Sequence, residues 1–222
     1  MERRNVGILG ATGAVGQRFI QLLANHPWFN ITWLAASDRS AGKTYAEACR
    51  WKLDSPLPPR IAAMTLQPNV PDGSAIELPK IIFAALDADI ARELEPKFAA
   101  AGCAVISNSS AFRMVADVPL VVPEVNSDHL SLIEAQSWRK ESGGYIVTNP
   151  NCSAIGLVLA LKPLEERFGI ESLFVSIRTS EERCPTKPEI AAHDLSHQFL
   201  EPWQWHVECV IDEGHITDSE AG

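Results

Sequence analysis

Asn149-Pro150-Asn151-Cys152-Ser153 carries the residue best suited to chemistry. One thiol follows a short strand-like stretch, Gly143 to Val147, and precedes an apolar helical run from Gly156 to Leu164. A cysteine placed where a strand turns into a helix meets unpaired backbone N–H groups and the positive end of the helix dipole. Such a setting stabilises a thiolate, which is the nucleophilic form. Cys152 is therefore a candidate nucleophile. Taken alone, it would be read as a small buried apolar residue.

A second constellation lies near the N-terminus. The apolar run Val6 to Leu9 reads as a strand, and it leads into Gly10-Ala11-Thr12-Gly13-Ala14-Val15-Gly16. Helical spacing follows at Phe19, Ile20, Leu22 and Leu23. Strand, glycine turn and helix start are the parts of a dinucleotide site. Gly10 permits the turn, Gly13 lets backbone approach a pyrophosphate, and Gly16 lets helix and strand pack closely. The next strand, Ile31 to Ala36, ends at Ser37-Asp38-Arg39-Ser40-Ala41-Gly42-Lys43. An acidic residue at that place favours a free ribose 2′-hydroxyl, whereas cations and hydroxyl donors favour a 2′-phosphate. Asp38 is outnumbered by Ser37, Arg39, Ser40 and Lys43, so NADP is preferred to NAD. A solvated polar loop is the competing reading.

The elements that position these residues alternate. Thr44 to Trp51 reads as a helix, and Asp54 to Pro79 as a Pro-rich irregular excursion with short strands. Lys80 to Leu86 reads as a buried strand. Asp87 to Ala101 reads as a helix with Ile90, Leu94 and Phe98 on one face, Asp87 as its N-cap and Gly102 as its stop. Cys103 to Ile106 and Leu120 to Val122 read as further strands. Strands alternating with helices imply an α/β fold: a Rossmann-type parallel sheet with ligands at the C-terminal ends of its strands. The expected division is a dinucleotide-binding domain over 1–150 and an incomplete α+β catalytic and dimerisation domain over 151–222.

Composition narrows the function classes. The chain has 222 residues and a formal net charge of -9, which argues against nonspecific nucleic-acid binding. No apolar run reaches membrane-spanning length, and no signal-like segment precedes Val6. The five cysteines form no C-x-x-C pair, so neither a metal site nor a disulfide framework is suggested. A reducing cytoplasm is the simplest compartment. The expected partner is a small-molecule substrate, with neither nucleic acid nor membrane.

Five motifs in order resemble the aspartate-semialdehyde dehydrogenase family, most closely its archaeal and fungal branch. They are Gly10–Gly16, Ala35–Lys43, Ser107–Met114, Pro123–Asn126 and Thr148–Ser153, and the resemblance runs from about Val6 to Gly169. It implies NADP-dependent reductive dephosphorylation of β-aspartyl phosphate to aspartate semialdehyde, on the route to lysine, threonine and methionine. It also implies a homodimer or homotetramer. By the same resemblance, Cys152 forms a thioacyl enzyme, and Asn151 with the amides after Cys152 helps hold the oxyanion. Arg113 binds the phosphoryl group, and Asn108 lies on the same loop. Gly10, Thr12, Gly13, Ala14 and Val15 bind pyrophosphate, while Ser37, Arg39 and Ser40 bind the 2′-phosphate.

Past Gly169 the resemblance thins, which suggests a shortened or divergent catalytic domain. The family's Gln position falls on Ser180, and Arg183-Cys184-Pro185 replaces a glycine-rich turn. Ala191 to His197 reads as a helix, with His193 and His197 on one face. Gly214-His215 faintly echoes the family's acid–base element, but Glu208 stands where the family has an arginine. Phe199, Leu200, Trp203 and Trp205 would be exposed without further strands, and the polar tail from Asp212 has the composition of a disordered segment. Two other readings stand beside the enzyme: a dinucleotide-binding module without turnover, and an acyl-phosphate reductase of another substrate, such as N-acetylglutamyl phosphate.

Overall fold

The computed structural model describes residues 2–71, 77–170, 172–180 and 204–212. Arg183-Cys184-Pro185, the Ala191–His197 helix with His193 and His197, the apolar Phe199, Leu200 and Trp203, and the tail with His215 lie outside the described residues.

Six strands form one sheet: β1 (Arg4–Leu9), β2 (Phe29–Ala36), β3 (Gln67–Pro68), β4 (Ile81–Ala84), β5 (Ala104–Ser107) and β6 (Tyr145–Thr148). Their spatial order is β3-β2-β1-β4-β5-β6, and every pairing is parallel. The chain starts at the middle of the sheet, builds outward to one edge, then returns to build the other half. The strand order therefore reverses between β1 and β4, where ligands bind in open α/β sheets. The helices joining these strands are α1 (Ala14–Leu23), α2 (Tyr45–Ala48), α3 (Pro59–Ala62), α4 (Ala88–Ala100), α5 (Pro123–Asn126) and α6 (Ser137–Ser142), with a 3₁₀ helix over Ser127–Ala135.

The central strands are apolar because both faces of the sheet are covered. Val6, Ile8, Ile20, Ile31 and Leu34 pack with Tyr45 and Leu66 in one cluster. Trp33, Ile82, Phe98, Val105 and Ile146 pack in another.

Four local expectations are corrected. The helix expected over Thr44–Trp51 spans only Tyr45–Ala48, because Cys49 turns to extended backbone, φ -112° and ψ 123°. That break frees Arg50 and Lys52 for hydrogen bonds described below. Leu120–Val122 is not a strand: Leu120 makes an isolated parallel bridge to Thr148, and Pro123 opens α5 directly after. Ile90 and Leu22 are exposed rather than packed. In α4 the buried residues are Ala91, Leu94, Glu95, Phe98 and Ala99, so the inward stripe is centred beyond Ile90. Asp87 holds the N-cap position of α4 but makes no side-chain cap hydrogen bond.

The chain divides into two compact units. The first comprises Met1–Val122 and Ser127–Pro150. The second comprises Pro123–Asn126 and the described residues from Asn151 on. In the second, α7 (Cys152–Phe168) is followed by β7 (Ser172–Ser180), which pairs in parallel with β8 (Gln204–Asp212).

Candidate active site

In the first unit, β1 ends in the glycine turn. Gly10 has φ +71°, and a Cβ there would stand 2.3 Å from the Ala85 carbonyl oxygen, so only glycine fits. At Gly16 a Cβ would stand 2.2 Å from the Gly10 carbonyl oxygen; its absence lets α1 close onto the turn. Gly13 differs. A Cβ there would meet only the Gly10 oxygen at 3.4 Å, so the space beside this residue is open on the protein side. Gly13, Ala14 and Val15 are exposed, Thr12 is half-buried, and no acidic residue stands in the first turn of α1. The open glycine and the unencumbered helix start fit a phosphate.

Buried side chains hold this turn from beneath, and sequence reasoning missed them. The Gln17 amide, 1% exposed, donates to Thr12 O at 3.0 Å and Arg50 O at 3.1 Å and accepts Lys52 N–H at 2.8 Å. The Tyr45 hydroxyl donates to Ala11 O at 2.9 Å, and the Cys49 thiol lies 3.8 Å from Thr12 O. Burial drives the Tyr45 hydroxyl far above its ordinary value, so it stays a donor. The carbonyls of Ala11 and Thr12 are thus tied inward. The available signal was a polar residue, Gln17, inside the apolar stripe that also contains Ile20.

Beyond β2, the segment Ser37–Lys43 folds into a turn, with Ser40 N–H donating to Ser37 O at 2.8 Å and Gly42 at φ +82°. Ser37, Asp38 and Arg39 are exposed and Ser40 is half-buried. The same segment runs directly into Thr44 and Tyr45, so it shares a scaffold with the glycine turn.

The ends of β5 and β6 carry the third group. Asn108 accepts at Oδ1 a hydrogen bond from Asn149 Nδ2. Arg113 is 8% exposed, and its Nη2 donates to Asn108 O at 3.2 Å. Arg113 is thus a buried residue and not a solvated surface side chain. The Asn149–Asn108 bond is invisible in the sequence, because amides that bond across adjacent strand ends leave no local pattern.

In the second unit, Cys152 is the first residue of α7 and is exposed. Asn151 is the N-cap: its Oδ1 accepts Ser153 N–H at 2.9 Å and lies 3.7 Å from Cys152 Sγ. The cap occupies the Ser153 N–H, one of the amides the resemblance assigns to an oxyanion. Among the described residues, no three His, Cys, Asp or Glu are grouped to hold a metal, and no helix is long and apolar enough to cross a membrane.

Strand order and glycine turn together define a dinucleotide-binding α/β protein of the Rossmann type. Residues 5–133 match the family described as "Semialdehyde dehydrogenase, NAD binding domain", and the chain belongs to that family. It is 54% identical over 208 residues to an aspartate-semialdehyde dehydrogenase of Archaeoglobus fulgidus, covering 93% of this chain and 60% of the relative. It is 54% identical over 172 residues to one of Methanothermobacter thermautotrophicus, covering 78% and 49%. The chain thus spans about half to three-fifths of these relatives. A crystal structure of the Candida albicans aspartate-semialdehyde dehydrogenase with NADP matches at a TM-score of 0.80 and 34% identity, over 94% of this chain and 67% of that one.

Proposed function

We propose that the chain supplies the cofactor unit and the nucleophile for NADP-dependent reductive dephosphorylation of β-aspartyl phosphate to aspartate semialdehyde. The observation that carries the proposal is the exposed Cys152 thiol at the first position of α7, beside the capping Asn151, in a member of the semialdehyde dehydrogenase family.

The Cys152 thiolate attacks the acyl carbon, a carbon–sulfur bond forms, and the carbon–oxygen bond to phosphate breaks, releasing inorganic phosphate. The helix start and the Asn151 Nδ2 group, whose Oδ1 is engaged by the cap, stabilise the negative oxygen of the tetrahedral species. Arg113 supplies a planar fork for the phosphoryl oxygens, with Asn108 beside it. Gly10, Thr12, Gly13, Ala14 and Val15 would cradle the cofactor's pyrophosphate, and Ser37, Arg39 and Ser40 its 2′-phosphate. When bound, the reduced cofactor supplies the hydride that turns a thioester into an aldehyde and returns the thiolate.

Cys49, Cys103 and Cys152 are free thiols, which supports a reducing compartment, the cytoplasm. The family resemblance supports a homodimer or homotetramer. The proposed domain roles follow the division near residue 150: cofactor binding before it, acyl chemistry after it.

Titrating the protein with NADP and NAD, beside an assay of semialdehyde oxidation in phosphate, tests this function. NADP should bind at least about tenfold more tightly than NAD, the scale of a single charge-assisted hydrogen bond that NAD cannot make. Cys152→Ser should keep the binding and lose the turnover. Equal affinity for the two cofactors would overturn the 2′-phosphate assignment. Turnover unchanged by Cys152→Ser would overturn the nucleophile.

A further inference from the structure

One buried acid in the first unit has no role in that chemistry. Glu95 lies in the inward stripe of α4 with no exposed surface. Its Oε1 accepts a 2.7 Å hydrogen bond from the Ser107 hydroxyl, and its Oε2 is buried without a hydrogen-bond partner among the described residues. A carboxyl is a poor choice for filling an apolar core, where a half-satisfied polar group costs stability. Leucine would pack there without that cost.

What the acid does is fix one hydroxyl. With its hydrogen directed at Glu95, Ser107 Oγ turns a lone pair to the Ser109 N–H at 3.1 Å. Ser109 Oγ then accepts the Ala111 N–H at 3.3 Å, and Arg113 N–H closes onto Ser110 O at 3.4 Å. These hydrogen bonds shape the loop from Asn108 to Arg113, on which the arginine folds back to Asn108 O. We propose that Glu95 is a positioning residue for this oxyanion-binding loop, acting through the Ser107 hydroxyl to set the direction in which Asn108 and Arg113 are presented. The inference rests on the reading of Arg113 as the phosphoryl-binding group.

Titration with inorganic phosphate, and separately with NADP, tests it on the wild type, Arg113→Ala, Ser107→Ala, Glu95→Leu and Glu95→Gln. Arg113→Ala should weaken phosphate binding by more than about tenfold. Ser107→Ala and Glu95→Leu should each weaken it by about tenfold while NADP affinity changes by less than about twofold. Glu95→Gln still offers an acceptor to the hydroxyl, so it should restore phosphate affinity to within about threefold of wild type. Wild-type phosphate affinity in Ser107→Ala and Glu95→Leu, beside a loss in Arg113→Ala, would overturn the inference alone. Parallel loss of phosphate and NADP would also overturn it, since that marks general damage. Phosphate binding unchanged in Arg113→Ala would remove the phosphoryl-site reading and the inference with it. Should Glu95→Leu not fold, Ser107→Ala, which keeps the acid, carries the same comparison.

Discussion

The glycine turn after β1 and the loop after β5 both sit at strand ends of one parallel sheet, yet they are built differently. The first is made of backbone: a positive φ at Gly10, a missing Cβ at Gly16 and open space at Gly13. The second is held by side chains: Ser107 between Glu95 and the Ser109 amide, Ser109 on the Ala111 amide, Arg113 on the Asn108 carbonyl and Asn149 on the Asn108 side chain. A backbone site tolerates no added atom at its packed glycines, Gly10 and Gly16, and has no titrating group of its own. A site built of side chains tolerates change in volume but depends on each proton.

That contrast is open to direct attack. The largest expected effect is at Gly16. Gly16→Ala places a methyl 2.2 Å from a backbone oxygen that cannot step aside, and should cost about 3 kcal/mol or more in urea unfolding. A loss under about 1 kcal/mol would show a turn far more pliable than described.

Next comes the acid. Burial, partly offset by the Ser107 hydroxyl, pushes the Glu95 carboxyl up from its ordinary 4.5 to about 7. The folded protein therefore binds this proton more tightly than the unfolded chain. The contribution of Glu95 to stability should be fullest below pH 4.5, fall as pH rises from there to about 7, and stay lower above it. The swing is about 3 kcal/mol at most, and Glu95→Gln should flatten it. Identical pH curves for the two proteins would break the contrast between the regions.

Tyr45→Phe removes the hydroxyl that holds the Ala11 carbonyl and leaves that oxygen without it. It should cost about 1–2 kcal/mol in the same unfolding experiment. Gly13→Ala is the smallest effect on stability, within about 0.5 kcal/mol, because its methyl meets open space. It should nevertheless weaken NADP binding by about tenfold or more in a titration, because the methyl fills the phosphate's approach. Unaltered binding would place the pyrophosphate elsewhere.

The same difference in construction decided what could be read from sequence. The glycine turn, the strands and the Cys152 helix start are local, and their residue spacing announces them. α2 ends early at Cys49, and the backbone of Arg50 and Lys52 beyond it bonds Gln17, 33 and 35 residues away. Tyr45 reaches Ala11 across 34 residues, and Glu95 reaches Ser107 across 12. Such pairings depend on how the sheet brings elements together, which periodicity does not encode. Leu120–Val122 misled for another reason: its apolar β-branched residues favour a strand, but the flanking Pro119 and Pro123 confine it to one bridge. Two of the buried helical side chains missed by sequence reasoning, Gln17 and Glu95, are polar residues inside an apolar stripe, a pattern worth reading as purposeful.

The most direct test of the proposed chemistry is mass spectrometry of the protein quenched in acid during reaction with β-aspartyl phosphate in the absence of reduced cofactor. One aspartyl group in thioester linkage is expected on the peptide bearing Cys152, and none in Cys152→Ser. An unmodified Cys152 peptide, or an acyl group carried on another residue, would contradict it.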